Sequence, residues 1–198
     1  MTHATYADIL RPDTRRNARL YDVSLIVGGS LAVGLSAQVA LPLAFSPVPI
    51  TGQTLAVLLV GALMGRVRGG VVMLLYLAEG VAGLPVFAGG GAGAAHLLGP
   101  TGGYLVGFVV AATVTGYLAE RGWDRRFGTT LAAMLLGTVA IFVVGLAWLG
   151  LFTGTENLLA MGLYPFVPGA IAKIIVAAAL VPQGWKLLGL RKSPGLNN

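Results

Sequence analysis

The chain has 198 residues, of which 56% are hydrophobic and only 10% charged, and its mean hydropathy is +0.83. A soluble domain carries roughly 25% charged residues, so an ordinary soluble enzyme is excluded and one polytopic membrane domain is expected. The net charge of +6 raises nucleic acid only until the charges are placed, and the absence of cysteine excludes disulfides and thiolate metal sites.

Residues 1–21 (MTHATYADILRPDTRRNARLY) are polar and mixed in charge. They lack the short basic segment, apolar core and small-residue cleavage site of a secretory signal. We expect a retained cytoplasmic arm over 1–21, a membrane domain over 22–192 and a tail over 193–198. The first apolar run, Val23–Leu43, is long enough to cross a bilayer, which takes about 20 residues. Within it Gly28, Ala32, Ser36 and Ala40 recur at four-residue spacing. Such a small-residue stripe lets membrane helices approach closely, either inside the bundle or on a partner-binding face.

The segment FSPVPITGQT then interrupts the apolar pattern, and two short runs follow, Leu55–Leu63 and Val71–Ala82, set apart by GRVRGG. As helices, Gly52–Gly65 rises about 21 Å and Gly69–Gly83 about 22 Å, against a hydrocarbon core of about 30 Å. Tilt or local thinning accounts for that. The sharper reading is that FSPVPITGQ and LPVFAGGGAGAAHLLGPTGG dip into the outer half of the protein. Irregular backbone at that depth survives only when buried in protein or lining a cavity, and interrupted segments point to a transporter site. Thr51, Gln53 and Thr54 offer polar side chains there. Glu79, near the outer end of the third helix, reads equally as a ligand acceptor, a partner of Lys173 or a solvated helix end.

Gly89–Gly91 invites a phosphate-loop reading, but such a loop ends in Gly-Lys-Ser/Thr and the chain contains no Gly-Lys dipeptide. These glycines instead suit close approach of backbone or a flat ligand. His96 has no partner in sequence, so no metal site is expected and the residue reads as a structural hydrogen bonder. Tyr104–Ala119, an uncharged stretch from Phe127 to Thr155, and Pro168–Leu190 complete six apolar runs. No nucleophile–base pair stands out, and no enzyme activity or cofactor is expected.

The arginines test that count. Arg11, Arg15, Arg16 and Arg19 precede the first run, Arg66 and Arg68 separate the second and third, and Arg121, Arg125 and Arg126 separate the fourth and fifth. Lys186, Arg191 and Lys192 close the chain, and the three intervening loops hold no Lys or Arg. Under the positive-inside rule this gives an all-α membrane protein of six transmembrane helices with both termini cytoplasmic, and no nucleic-acid surface. The exception is Lys173, about 7–8 Å into the last helix. A charge at mid-membrane costs about 2.5–3.5 kcal/mol and usually faces the protein interior, the alternative being that its four-carbon stem snorkels to the outer interface. Following Pro168 and Gly169 at a helix N-terminus, it makes a plausible site for a small carboxylate.

The stretches FSPVPITGQTLAVLL, GLPVFAGGGAGAAHLLGPTGGYLVGF and YPFVPGAIAK, in this order, resemble the BioY family of biotin-binding S components of energy-coupling factor (ECF) transporters. The resemblance runs from about the first helix to the C-terminus. It implies a six-helix subunit that captures biotin on the outer side and works with a transmembrane coupling protein and two ABC-type ATPases. Toppling in the membrane is the delivery step proposed for such subunits. It also implies ligand contacts at Lys173 and position 170, and a docking face at Gly28, Ala32, Ser36 and Ala40; Thr51, Gln53, Glu79, Gly90, Gly91 and Tyr104 complete the expected ligand-binding set. The sequence departs from the family pattern at Ala170, where an Asp is usual, and reads apolar at Gly91 and Leu105. Those departures leave open another small hydrophobic carboxylate as substrate. A solitary transporter or channel, with a homo-oligomer in place of partners, also stays open.

Overall fold

A computed structural model describes residues 3–188. Arg191, Lys192, the expected end of the last span at Leu190 and the expected tail 193–198 lie outside the described residues. In chain order the elements are α1 (Tyr6–Ile9), α2 (Arg15–Gln38), β1 (Ala40–Leu43), β2 (Ser46–Thr51), α3 (Gln53–Val81), α4 (Ala94–Leu97), α5 (Gly102–Ala119), α6 (Phe127–Thr153), α7 (Leu158–Gly162) and α8 (Val167–Leu187). Five stretches are long and apolar enough to cross a membrane: α2, α3, α5, α6, and Leu158–Leu187, which contains α7 and α8. The chain is a membrane protein.

Two expectations change here. The first apolar run is not one helix to Leu43. The helix ends at Gln38, and Ala40–Leu43 pairs with Ser46–Thr51 as an antiparallel hairpin, with Ala40 opposite Thr51 and Leu41 opposite Ile50. Proline explains the switch. Leu41, Ser46 and Val48 each precede a proline, and that position is driven out of the α region into extended backbone. A two-stranded sheet has free edges, where proline does no harm to the ladder. The small-residue stripe is corrected accordingly: Gly28, Ala32 and Ser36 lie on α2, but Ala40 has left the helix.

The second change is that no loop sets the two short runs apart: both lie in α3, as two helical arms that meet at Gly65. At Gly65 the backbone turns to φ 82°, ψ 177°, a conformation that favours glycine. The chain folds back there: a Cβ placed on Gly69 would lie 3.1 Å from the Cα of Gly61. Along a straight helix those two residues would be about 12 Å apart. The second arm is capped by Glu120, whose Oε1 accepts from the Arg66 N–H at 2.9 Å. A carboxylate at a helix N-terminus is favourable both as an acceptor and toward the dipole.

The hairpin of α3 packs on α5, which in turn packs on α6; α2 covers α3, and α8 lies against α6 and α3. Two-thirds of the α5 window is buried, against 28% for α2 and α6, which makes α5 the central helix. Its small residues allow that. A Cβ on Gly116 would fall 2.4 Å from the backbone carbon of Gly65. On α2 the buried face is Gly29, Ser30, Val33, Gly34 and Ala37, and it packs on Val72, Met64 and Val86. Gly28 and Ala32 are exposed, and nothing lies within 4 Å of a Cβ built on Gly28.

At one end of the bundle the basic residues gather with the N-terminal arm. Arg68 pairs with Asp8 at 2.7 Å and Asp22 at 2.9 Å, and Arg11 pairs with Asp22 at 2.7 Å. The Tyr6 ring lies 4.1 Å from that of Trp185, and its hydroxyl donates to the Val181 carbonyl. Asp124 accepts from Trp185 Nε1 at 2.7 Å, while the Arg125 guanidinium sits 3.6 Å from the centroid of the same indole. The arm is therefore docked on the bundle, and α2 starts ahead of the expected boundary at residue 22.

Candidate functional site: an apolar cavity with one cation

At the opposite end the β-hairpin, the glycine-rich loop between α3 and α5, and the starts of α5 and α8 enclose a cavity of about 590 Å³. That volume is in the range of small-molecule sites, about 300–1,000 Å³. The wall is mostly apolar, with Val48, Ile50, Leu105, Phe108, Ile141 and Phe166 among its residues. Lys173 is the one charged residue among the described lining residues, and none of them is a carboxylate.

Three anchors hold the walls. Ser46 donates to the Met161 carbonyl at 2.7 Å, which ties β2 to α7. Trp148 Nε1 donates to the Gly99 carbonyl at 3.0 Å, which ties the glycine-rich loop to α6. Tyr104 donates from its hydroxyl to the Gly162 carbonyl at 2.8 Å and lays its ring in the wall.

The polar groups form one chain of hydrogen bonds. Lys173 Nζ donates to the Thr51 carbonyl and, at 2.9 Å, to Thr54 Oγ1. Thr51 Oγ1 donates to Gln53 Oε1 at 3.2 Å, and Gln53 Nε2 donates to the Tyr76 hydroxyl at 2.6 Å. Tyr76 donates onward to the Val86 carbonyl at 3.1 Å. The chain thus links α8, the β-hairpin, both arms of α3 and the glycine-rich loop. Of the three N–H donors of an ammonium, two are used within the protein and one is left for a ligand.

The structure brings together Lys173, Ala170, Thr51, Gln53 and Tyr104 from the expected set, since all five line the cavity. Glu79 is separate. Its Oε1 accepts from Ser30 at 2.9 Å between α2 and α3, and it neither lines the cavity nor pairs with Lys173. Gly90 and Gly91 also stand outside the lining, and the neighbouring Gly89 takes that place. Gly90 has φ 78° and turns the loop, while the Gly91 carbonyl accepts from the Phe87 N–H at 3.0 Å. Ala40, expected on a docking face, lines the cavity instead, because the hairpin turns it inward.

His96, expected as a structural hydrogen bonder, makes no side-chain hydrogen bond to a described residue and lines the cavity instead, and sequence reasoning missed Tyr76, which is fully buried behind Gln53. Tyr76 gave no signal in an apolar helix. His96 had one: it was the only titratable side chain in the glycine-rich segment.

An apolar chamber with one ammonium, set among helices long and apolar enough to cross a membrane, is a small-solute binding site of a membrane transport component. The chain belongs to the BioY family, whose profile matches residues 11–190. A protein named biotin transporter BioY from Rhizobium etli is 38% identical over 173 residues, covering 82% of this chain and 92% of that protein. Biotin transporter BioY2 of Lactococcus lactis is 36% identical over 176 residues, covering 87% and 93%. Among solved structures, the S-component for biotin from an ECF-type ABC transporter superposes with a TM-score of 0.75 at 26% identity. That match covers 87% of this chain and 95% of the other.

Proposed function

We propose that this protein binds biotin from the outer side of the membrane and serves as the substrate-binding subunit of an ECF transporter. The observation that carries the reading is the lone ammonium of Lys173 in an apolar chamber without a carboxylate. Such a chamber suits a ligand with one negative charge and a hydrophobic body. Biotin has that composition: a valerate chain ending in a carboxylate, and a fused bicyclic ring with a ureido group. The carboxylate pairs with the free N–H of Lys173, where water is largely excluded and an ion pair with good hydrogen bonds is strong. The ring packs among Phe108, Ile141, Phe142 and Phe166.

In this reading the two arms of α3 are separate crossings, so the membrane domain, residues 22–192, spans six times. The clustered arginines at the other end of the bundle favour a cytoplasmic position for that end under the positive-inside rule. Both termini, with the arm 1–21 and the tail 193–198, then lie inside the cell, and the cavity opens outward in the cytoplasmic membrane of a bacterium or archaeon. The exposed small residues Gly28 and Ala32 make α2 the docking face for a transmembrane coupling protein, with two ABC-type ATPases supplying the energy.

Isothermal titration of the detergent-purified, intact chain with biotin tests the proposal. Saturable binding that Lys173→Ala weakens at least tenfold is the expected result. No binding by the unmodified protein sinks it.

A further inference from the structure

His96 lines the cavity, but its side chain belongs to none of the hydrogen bonds that hold the walls together. It sits in α4, within the glycine-rich loop. Its ring stacks on Phe87 with centroids 5.0 Å apart and planes at 18°. Phe87 is itself fully buried and meets Tyr76 edge-on, 81° between planes. Gly91 leaves room for that stack: a Cβ there would lie 2.6 Å from both Cε1 and Nδ1 of His96. The imidazole is thus fixed in one plane against a rigid support. Neither ring nitrogen is hydrogen-bonded to another described residue, and neither is sealed from solvent.

The surroundings restrict what this ring can do. The other titratable groups on the described wall are Lys173, held by Thr51 and Thr54, and Tyr104, whose hydroxyl is turned onto Gly162. No acidic side chain lines the cavity to accept a proton from the ligand or to hold the imidazole charged. Burial also pushes the imidazole below its usual pKa, so the ring is neutral at pH 7 and carries one acceptor nitrogen. A ureido ring brings two N–H donors into the cavity. Ala170 offers them nothing beyond its backbone.

We propose that His96 is the specificity-determining acceptor for the ring end of the ligand, taking a hydrogen bond from a ureido N–H through its neutral imidazole. The proposal rests on the biotin reading and deepens it: Lys173 selects the charge, and His96 selects a donor-bearing ring over a plain hydrocarbon tail. It also gives Gly91 a purpose, since a side chain there would displace the imidazole from its stack.

The test is biotin titration of the purified full chain as wild type, His96→Phe and His96→Gln, at pH 7.5 and at about pH 5, below the usual histidine range. Phenylalanine keeps the stack on Phe87 and removes the acceptor; glutamine keeps an acceptor that does not titrate. His96→Phe is expected to bind at least tenfold more weakly at pH 7.5, and His96→Gln within threefold of wild type. Any fall in wild-type affinity at the lower pH should be absent from His96→Gln. His96→Phe binding like wild type overturns the proposal. So does an equal loss in both variants with unchanged thermal unfolding, which marks a purely structural ring. If His96→Phe fails to fold, His96→Leu takes its place, and wild-type affinity in that variant overturns the idea. Absence of biotin binding by the wild type at either pH refutes the biotin reading itself.

Discussion

Lys173 of α8 reaches across the cavity to the backbone carbonyl of Thr51, the last residue of β2, and to the hydroxyl of Thr54 at 2.9 Å. The cation therefore closes the hairpin onto the helix as well as facing a ligand. Lys173→Met, which keeps the stem and removes the charge, is expected to weaken biotin at least tenfold and to lower thermal stability only slightly. Titration and thermal unfolding on the same sample separate the two effects. Thr54→Val should give a smaller affinity loss, since the Thr51 carbonyl still holds the ammonium.

Tyr76 joins Gln53 to the Val86 carbonyl from a fully buried position. Tyr76→Phe leaves a buried amide donor and a carbonyl without partners, at a cost of about 1–3 kcal/mol. It should also release the glycine-rich loop from the hairpin. The expected outcome is a lower unfolding temperature together with faster biotin dissociation, read by stopped-flow or surface-based kinetics. Unchanged dissociation would mean that the loop is held by other contacts.

Asp124 is almost fully buried beside Trp185, and burial pushes its carboxyl up to about 6. An acid whose pKa rises on folding favours the folded state while protonated. Its stabilising contribution is full below about pH 4 and lost as pH rises through about 6, a change on the order of 2–3 kcal/mol. Asp124→Asn keeps an acceptor for Trp185 Nε1 and does not titrate. Thermal unfolding across that window should slope for the wild type and run flatter for the variant.

Gly116 of α5 sits against the backbone of Gly65 and Arg66, and a Cβ would approach their atoms to 2.4 and 2.5 Å. Those neighbours are main chain and cannot swing aside. Gly116→Ala is expected to cost about 1–3 kcal/mol by forcing the α3 fold-back away from α5, seen as a lower unfolding temperature in detergent. An unaltered midpoint would show that the two helices separate without penalty.

Gly28 and Ala32 face outward on α2. Replacing both with leucine should leave biotin affinity within twofold, since neither residue lines the cavity. The same variant should lose co-purification with a co-expressed coupling protein and its ATPases. Retained assembly would place the docking face elsewhere.

Several parts of this molecule were legible before any coordinates. Lys173 stood out because a charge inside an apolar run is costly wherever it is placed, so its position alone asked for a function. Thr51 and Gln53 followed from the break in the apolar pattern beside Pro47 and Pro49. Glu79 misled for the same physical reason that singled out Lys173: charge in an apolar run marks burial, but not which neighbour satisfies it. One carboxylate oxygen meets Ser30, on a helix far away in sequence, and the other is buried without a partner among the described residues. Gly90 and Gly91 misled differently, because a glycine run announces an unusual backbone without saying which residue faces the cavity.

The sequence by itself determined that this is a membrane protein, which end of the bundle collects the arginines, and which family it belongs to. Those properties follow from composition, from charge spacing and from local motifs, each readable within a short window. Tertiary structure decided that the break after α2 is a β-hairpin that turns Ala40 into the cavity, and that the N-terminal arm docks on Trp185. It alone placed His96 on Phe87 and linked Lys173 to Tyr76 through Thr51 and Gln53. Such contacts join residues scattered along the chain, and only the close approach of helices at small residues such as Gly61, Gly69 and Gly116 brings them together.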